Sequence, residues 1–79
     1  MAYYHNKYWK DIGNRIKDIR KRRGVTQDVM AALVGISRAS YSKLENGHRL
    51  VTAIEIDMIC RALQVKANDI INVVKDDPR

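Results

Sequence analysis

The sequence predicts an all-α fold, a compact arrangement of five helices in one small domain. Three observations lead to it. Apolar residues recur three, four and seven positions apart in several stretches, as they do along one face of a helix. Thr26, Ser37 and Thr52 each precede such a stretch, where a hydroxyl can accept from a free N–H of the first turn. Glycine stands where helices must stop, at Gly24, Gly35 and Gly47, and tolerates the left-handed conformation such stops usually need. The chain has 79 residues, of which 46% are hydrophobic, too many for a disordered chain. A core of this size is marginal unless it packs well or dimerises.

The first helix carries the stripe Trp9, Ile12, Ile16, Ile19, so it begins before residue 10 and runs to Arg22 or Arg23. The basic run Arg20-Lys21-Arg22-Arg23 suits the negative end of its dipole. Residues 1–10 form an aromatic extension, either part of this helix or an arm. They hold four of the five aromatic residues, Tyr3, Tyr4, Tyr8 and Trp9. Tyr8 and Trp9 can pack on the core, meet a second copy or reach a ligand.

The second helix starts after Thr26, buries Met30, Ala31 and Val34, and stops at Gly35. Ile36 then inserts an apolar side chain. Ser37 caps a third helix that runs to about Glu45 and ends at Asn46-Gly47. Two helices so joined form a helix-turn-helix, whose second helix can lie in a DNA major groove. The fourth helix opens with a capping box, Thr52 and Glu55, and buries Ile56, Ile59, Cys60 and Leu63. The fifth spans about Ala67 to Val74, with Ile70, Ile71 and Val74 apolar and Asp69 placed favourably in its first turn. Residues 11–74 thus form the folded domain, and 75–79 are a polar tail expected to fray.

The segment T-Q-x-x-x-A-x-x-x-G-I-S-R from Thr26, followed by S-K-L-E-N-G from Ser42, resembles the XRE-type regulators, the DNA-binding domains of lambdoid phage repressors and Cro. The resemblance covers about residues 12–71. It implies a lambda-repressor-like DNA-binding domain, a homodimer on a near-palindromic operator, and a transcriptional regulator. It also implies an ion pair between Arg20 and Glu45 that links the first helix to the recognition helix, against the alternative of two solvated charges. Gln27 is implied to bind a DNA phosphate and to brace a recognition-helix side chain, unless it is merely solvated. The loop after the third helix is implied to grip the sugar-phosphate backbone.

Charge agrees with that reading. The net charge is +6, and from Lys7 to Arg49 there are eleven basic and four acidic residues. The basic part contains the helix-turn-helix, which favours an anionic partner over a merely solvated surface. On the outer face of the third helix, Arg38 and Lys43 carry donors for guanine edges. Ala39 can meet a thymine methyl, and Ser42 can reach base or phosphate. Ser37, Gln27, Asn46, His48 and Arg49 are the candidate phosphate contacts. Tyr41 departs from the aliphatic residue usual at its position. Its ring can fill the core, with the hydroxyl reaching an edge.

Ile54 and Met58, off the core stripe of the fourth helix, and Val73 are candidate dimer contacts. Cys60 reads as a small buried apolar residue. As the single cysteine it cannot form an intrachain disulfide, which fits a reduced cytoplasmic location. No apolar run approaches a membrane span, and no signal peptide is apparent. His5 has no partners at ligand spacing, so no metal is expected. No phosphate loop or nucleophile elbow occurs, and neither an enzyme nor a cofactor is expected. Two narrower roles stay open: an antitoxin that binds a partner toxin and regulates its own expression, and a restriction–modification controller. A generic binder of single strands fits less well, because no aromatic stacking platform is present.

Overall fold

The computed structural model describes residues 2–71, with side chains from Lys7 onward, and places five α-helices along them. They are α1 (Ala2–Arg22), α2 (Gln27–Val34), α3 (Arg38–Glu45), α4 (Ala53–Leu63) and α5 (Ala67–Ile70). The expected end signals hold α2, α3 and α4 in place. The Thr26 hydroxyl accepts from the Val29 N–H, and the Ser37 hydroxyl from the Ser40 N–H. Thr52 and Glu55 close the reciprocal capping box. Gly35 is left-handed (φ 81°), its N–H donating to the Ala31 carbonyl while the Ile36 N–H reaches the same oxygen. This satisfies carbonyls that the end of a helix leaves open.

The core lies where the stripes converge. Ile12 and Ile16 from α1 meet Met30, Ala31 and Val34 from α2, with Tyr41 and Leu44 from α3. Ile56, Ile59, Cys60 and Leu63 from α4 and Ile70 from α5 close it. Trp9, Ile19 and Ile36 pack partly buried against this cluster. α3 packs on α1 and α2, while α4 packs on α2, α1 and α5. The recognition candidate is therefore backed by two helices, leaving its other face to solvent.

Three local features go beyond the sequence reading or against it. α4 ends without glycine: Gln64 adopts the left-handed conformation (φ 59°) and returns its N–H to Arg61 and Cys60. α5 is one short turn, because Ile71 is already extended (φ −109°, ψ 98°). The expected run to Val74 is thereby corrected. Consecutive β-branched residues, Ile70 and Ile71, lose side-chain freedom in a helix and propagate one poorly. Third, the Tyr41 hydroxyl does not reach an edge but is buried with the ring. Val73, Val74 and the tail 75–79 lie outside the described residues.

Candidate nucleic-acid interface

The site is organised by a buried ion pair. Arg20 leaves the last turns of α1 and Glu45 ends α3, and Glu45 is completely buried. Arg20 Nε donates to one Glu45 oxygen at 2.5 Å and Nη2 to the other at 3.1 Å, while Nη1 donates to the Val25 carbonyl at 2.7 Å. This two-point contact suits a planar guanidinium. Burial by itself would raise the Glu45 carboxyl. The hydrogen bond from Arg20, the approach of the Tyr41 hydroxyl and the hydrogen bond from Gln27 outweigh it and hold the group below its usual range. The same bond to Glu45 raises Arg20. Glu45 thus stays charged, and α3 is fixed in angle against α1.

Glycine makes the approach possible. A Cβ on Gly13, in the middle of α1, would stand 2.4 Å from the Glu45 carbonyl oxygen. A Cβ on Gly47, where φ is +74°, would stand 2.4 Å from Lys10 Cα. The C-terminal end of α3 therefore lies against the α1 backbone at a distance only glycine permits. Gly13 escaped the sequence reading, although a lone glycine inside a helical pattern often marks a close packing contact. Tyr41 sits in the same corner. Desolvation and then the neighbouring Glu45 carboxylate push its phenol well above the usual range.

From this anchor a chain of polar contacts runs to the surface. Gln27 Nε2 donates to Glu45 Oε1 at 2.9 Å. Gln27 Oε1 accepts from Arg38 Nε, also at 2.9 Å. Arg38 Nη1 then donates to Asp28 Oδ1 at 3.1 Å. Gln27 thus braces a recognition-helix side chain, and that side chain is Arg38. One of its two amide hydrogens is committed inward, leaving the other for an outside acceptor. Asp28 is a participant that nothing in its sequence position announced, because it lies ten residues from Arg38.

The other candidates divide. Arg38, Ala39 and Lys43 are exposed on α3, and Ser42 is half-buried beside them. Ser37, Asn46 and His48 are also exposed, at the two ends of the helix. Ser37 uses its hydroxyl oxygen as the α3 cap. Arg49 has an internal assignment that the sequence reading left out. Its Nη1 and Nη2 meet the two Glu55 oxygens at 3.1 and 2.7 Å, and Nη1 also reaches the Leu50 carbonyl at 2.7 Å. Its Nε donates to the Ser40 carbonyl of α3 at 3.3 Å. The Arg49 guanidinium holds the Glu55 carboxyl below its ordinary range. Arg49 therefore ties α3 to the capped start of α4 and stiffens the loop between them.

Away from this face, Ile54 is 71% and Met58 39% exposed on the outer side of α4, with Leu50 exposed just before it. Val73 lies outside the described residues. Among the described residues, no helix is long and apolar enough to cross a membrane.

The fold and this face define a helix-turn-helix domain. The helix-turn-helix family model matches residues 16–70, and the chain belongs to that family, in its XRE-type branch. The chain is 45% identical over 60 residues to "Antitoxin PezA" of Streptococcus pneumoniae serotype 4, a match covering 76% of this chain and 38% of that protein. It is 27% identical over 67 residues to "Control protein C.MunI" of Mycoplasma sp, covering 84% of this chain and 90% of that protein. The crystal structure of the restriction-modification controller protein C.AhdI from Aeromonas hydrophila superposes with a TM-score of 0.75 at 25% identity, covering 80% of this chain and 96% of that one. The clp gene regulator ClgR from C. glutamicum shares the fold, with a TM-score of 0.78 at 22% identity, over 91% of this chain and 94% of that one.

Proposed function

We propose that the protein is a sequence-specific duplex-DNA-binding transcriptional regulator, located in the cytoplasm, that acts as a homodimer on a near-palindromic operator. The observation that carries this is α3. Its inner face is locked to α1 by the buried Arg20–Glu45 pair, and its outer face presents Arg38, Ala39, Ser42 and Lys43. A helix fixed in angle with an outward row of donors is what reading base edges in the major groove requires. Arg38 and Lys43 read bases, Ala39 packs on a thymine methyl and Ser42 joins them. Ser37, Gln27, Asn46 and His48 hold phosphates around the helix. Arg49 contributes chiefly by holding the loop that carries Asn46 and His48. The second copy docks through Ile54, Met58 and Val73, setting two recognition helices about one turn of DNA apart.

The test is selection from random duplex DNA at near-physiological salt with the protein alone. The expected result is a two-fold-related motif. Binding that fades with salt and selects nothing would overturn the reading. On the selected site, Arg38→Ala should cost roughly 1–3 kcal/mol and relax preference at one position in each half-site. An equal loss on scrambled duplex would restrict Arg38 to the backbone.

A second reading is favoured by the 45% identity with the antitoxin. In it the chain binds a partner toxin and regulates its own expression. Co-purification of a second protein that weakens or tightens operator binding would support it. The controller role, suggested by the matches to C.MunI and C.AhdI, is a narrower variant of the regulator reading.

A further inference from the structure

We propose that Asp28 is a positioning residue for base recognition: it holds the Arg38 guanidinium, together with Gln27, in the orientation that reads the base. The proposal rests on the assignment of Arg38 to a base edge. Arg38 is the first residue of α3, and its long side chain would otherwise sample many rotamers at an exposed site. Two contacts restrict it. Nε is held by the Gln27 amide oxygen at 2.9 Å, and Nη1 by the Asp28 carboxylate at 3.1 Å. Gln27 is itself tethered to the buried Glu45, so one end of this clamp is rigid. Among the described contacts Nη2 has none, so its two hydrogens, with the second one on Nη1, are left for a base.

Asp28 suits the N-terminal dipole of α2, but its position is costly for a DNA-binding face. A carboxylate at the N-terminal end of α2 stands on the face proposed to meet phosphates, where it repels them. Both side chains of the pair are more than half exposed, and such a pair adds little to stability in free solution. Its use emerges when DNA excludes water and the pair sits in a lower dielectric. Holding Arg38 in place before binding lowers the entropy lost on contact.

The experiment compares wild type, Asp28→Ala, Asp28→Asn and Arg38→Ala on the selected duplex and on a scrambled one, across a salt series. Asp28→Ala should lower the ratio of specific to scrambled affinity by about tenfold, a part of what losing a good base contact costs. Asp28→Asn keeps an acceptor oxygen and should recover most of the ratio. Both variants should bind scrambled duplex more tightly, with a salt slope steeper by about one phosphate equivalent, because Arg38 is released from its counter-charge. A ratio in Asp28→Ala equal to wild type would overturn the proposal. So would a ratio above wild type, which would make Asp28 a competitor for Arg38. If Arg38→Ala itself leaves the ratio unchanged, the base-reading assignment of Arg38 fails, and the proposal with it.

Discussion

At the scale of single residues, the interface depends on groups given more than one partner. Gln27 faces inward to Glu45 and outward to Arg38, so removing it would disturb both the anchor and the side chain proposed to read a base. Tyr41 is the exception. Its ring is completely buried, yet its hydroxyl closes no hydrogen bond of ordinary geometry. A buried hydroxyl left unsatisfied costs about 1–3 kcal/mol. Tyr41→Phe should therefore leave the fold intact and raise stability by about 1 kcal/mol, read as a higher urea midpoint at unchanged slope. A loss of similar size would show that the hydroxyl supports Glu45 in solution.

At the scale of elements, the decisive contact is α1 against the end of α3. Glycine inside a helix is unfavourable by roughly 1 kcal/mol relative to alanine, so on propensity alone Gly13→Ala would stabilise α1. The crossing reverses the sign. The new Cβ would fall 2.4 Å from the Glu45 carbonyl oxygen and 2.6 Å from that of Leu44, both backbone atoms that cannot rotate away. Gly13→Ala should destabilise the protein by about 1–3 kcal/mol, and tilting α3 should weaken operator binding further than the lost stability explains. Thermal melting and binding at a temperature where the variant remains folded separate the two effects.

At the scale of the whole molecule, stability and recognition share the Arg20–Glu45 pair. Removing one partner of a buried pair leaves an uncompensated charge. Glu45→Gln should lower stability by about 3 kcal/mol at pH 7. Because the folded protein holds the Glu45 carboxyl below its unfolded value, the unfolded chain binds this proton more readily. The contribution is thus fully present above the ordinary carboxyl range, about pH 4.3, and is lost as pH falls through the depressed folded value. Denaturation curves at neutral and acid pH should show wild type and Glu45→Gln converging below about pH 4. A gap that stays constant would mean the glutamate acts through shape rather than charge. Glu55, also depressed by its arginine partner, adds acid sensitivity in both proteins alike.

The sequence by itself determined what near neighbours decide: the apolar stripes, the capping residues Thr26, Ser37 and Thr52, and the stop at Gly35. These are interactions within about one helical turn, so their chemistry is written in adjacent positions. Family resemblance supplied the Arg20–Glu45 pair, which spacing alone could not, since 25 residues separate its members. Only the tertiary structure decided that Arg38 reaches Gln27 and Asp28, that Arg49 turns inward to Glu55 and Ser40, and that Gly13 marks a backbone crossing. It also decided that α5 ends at Ile70. Such partners are chosen by the angles at which helices cross, and those angles emerge only when all the stripes close on one core.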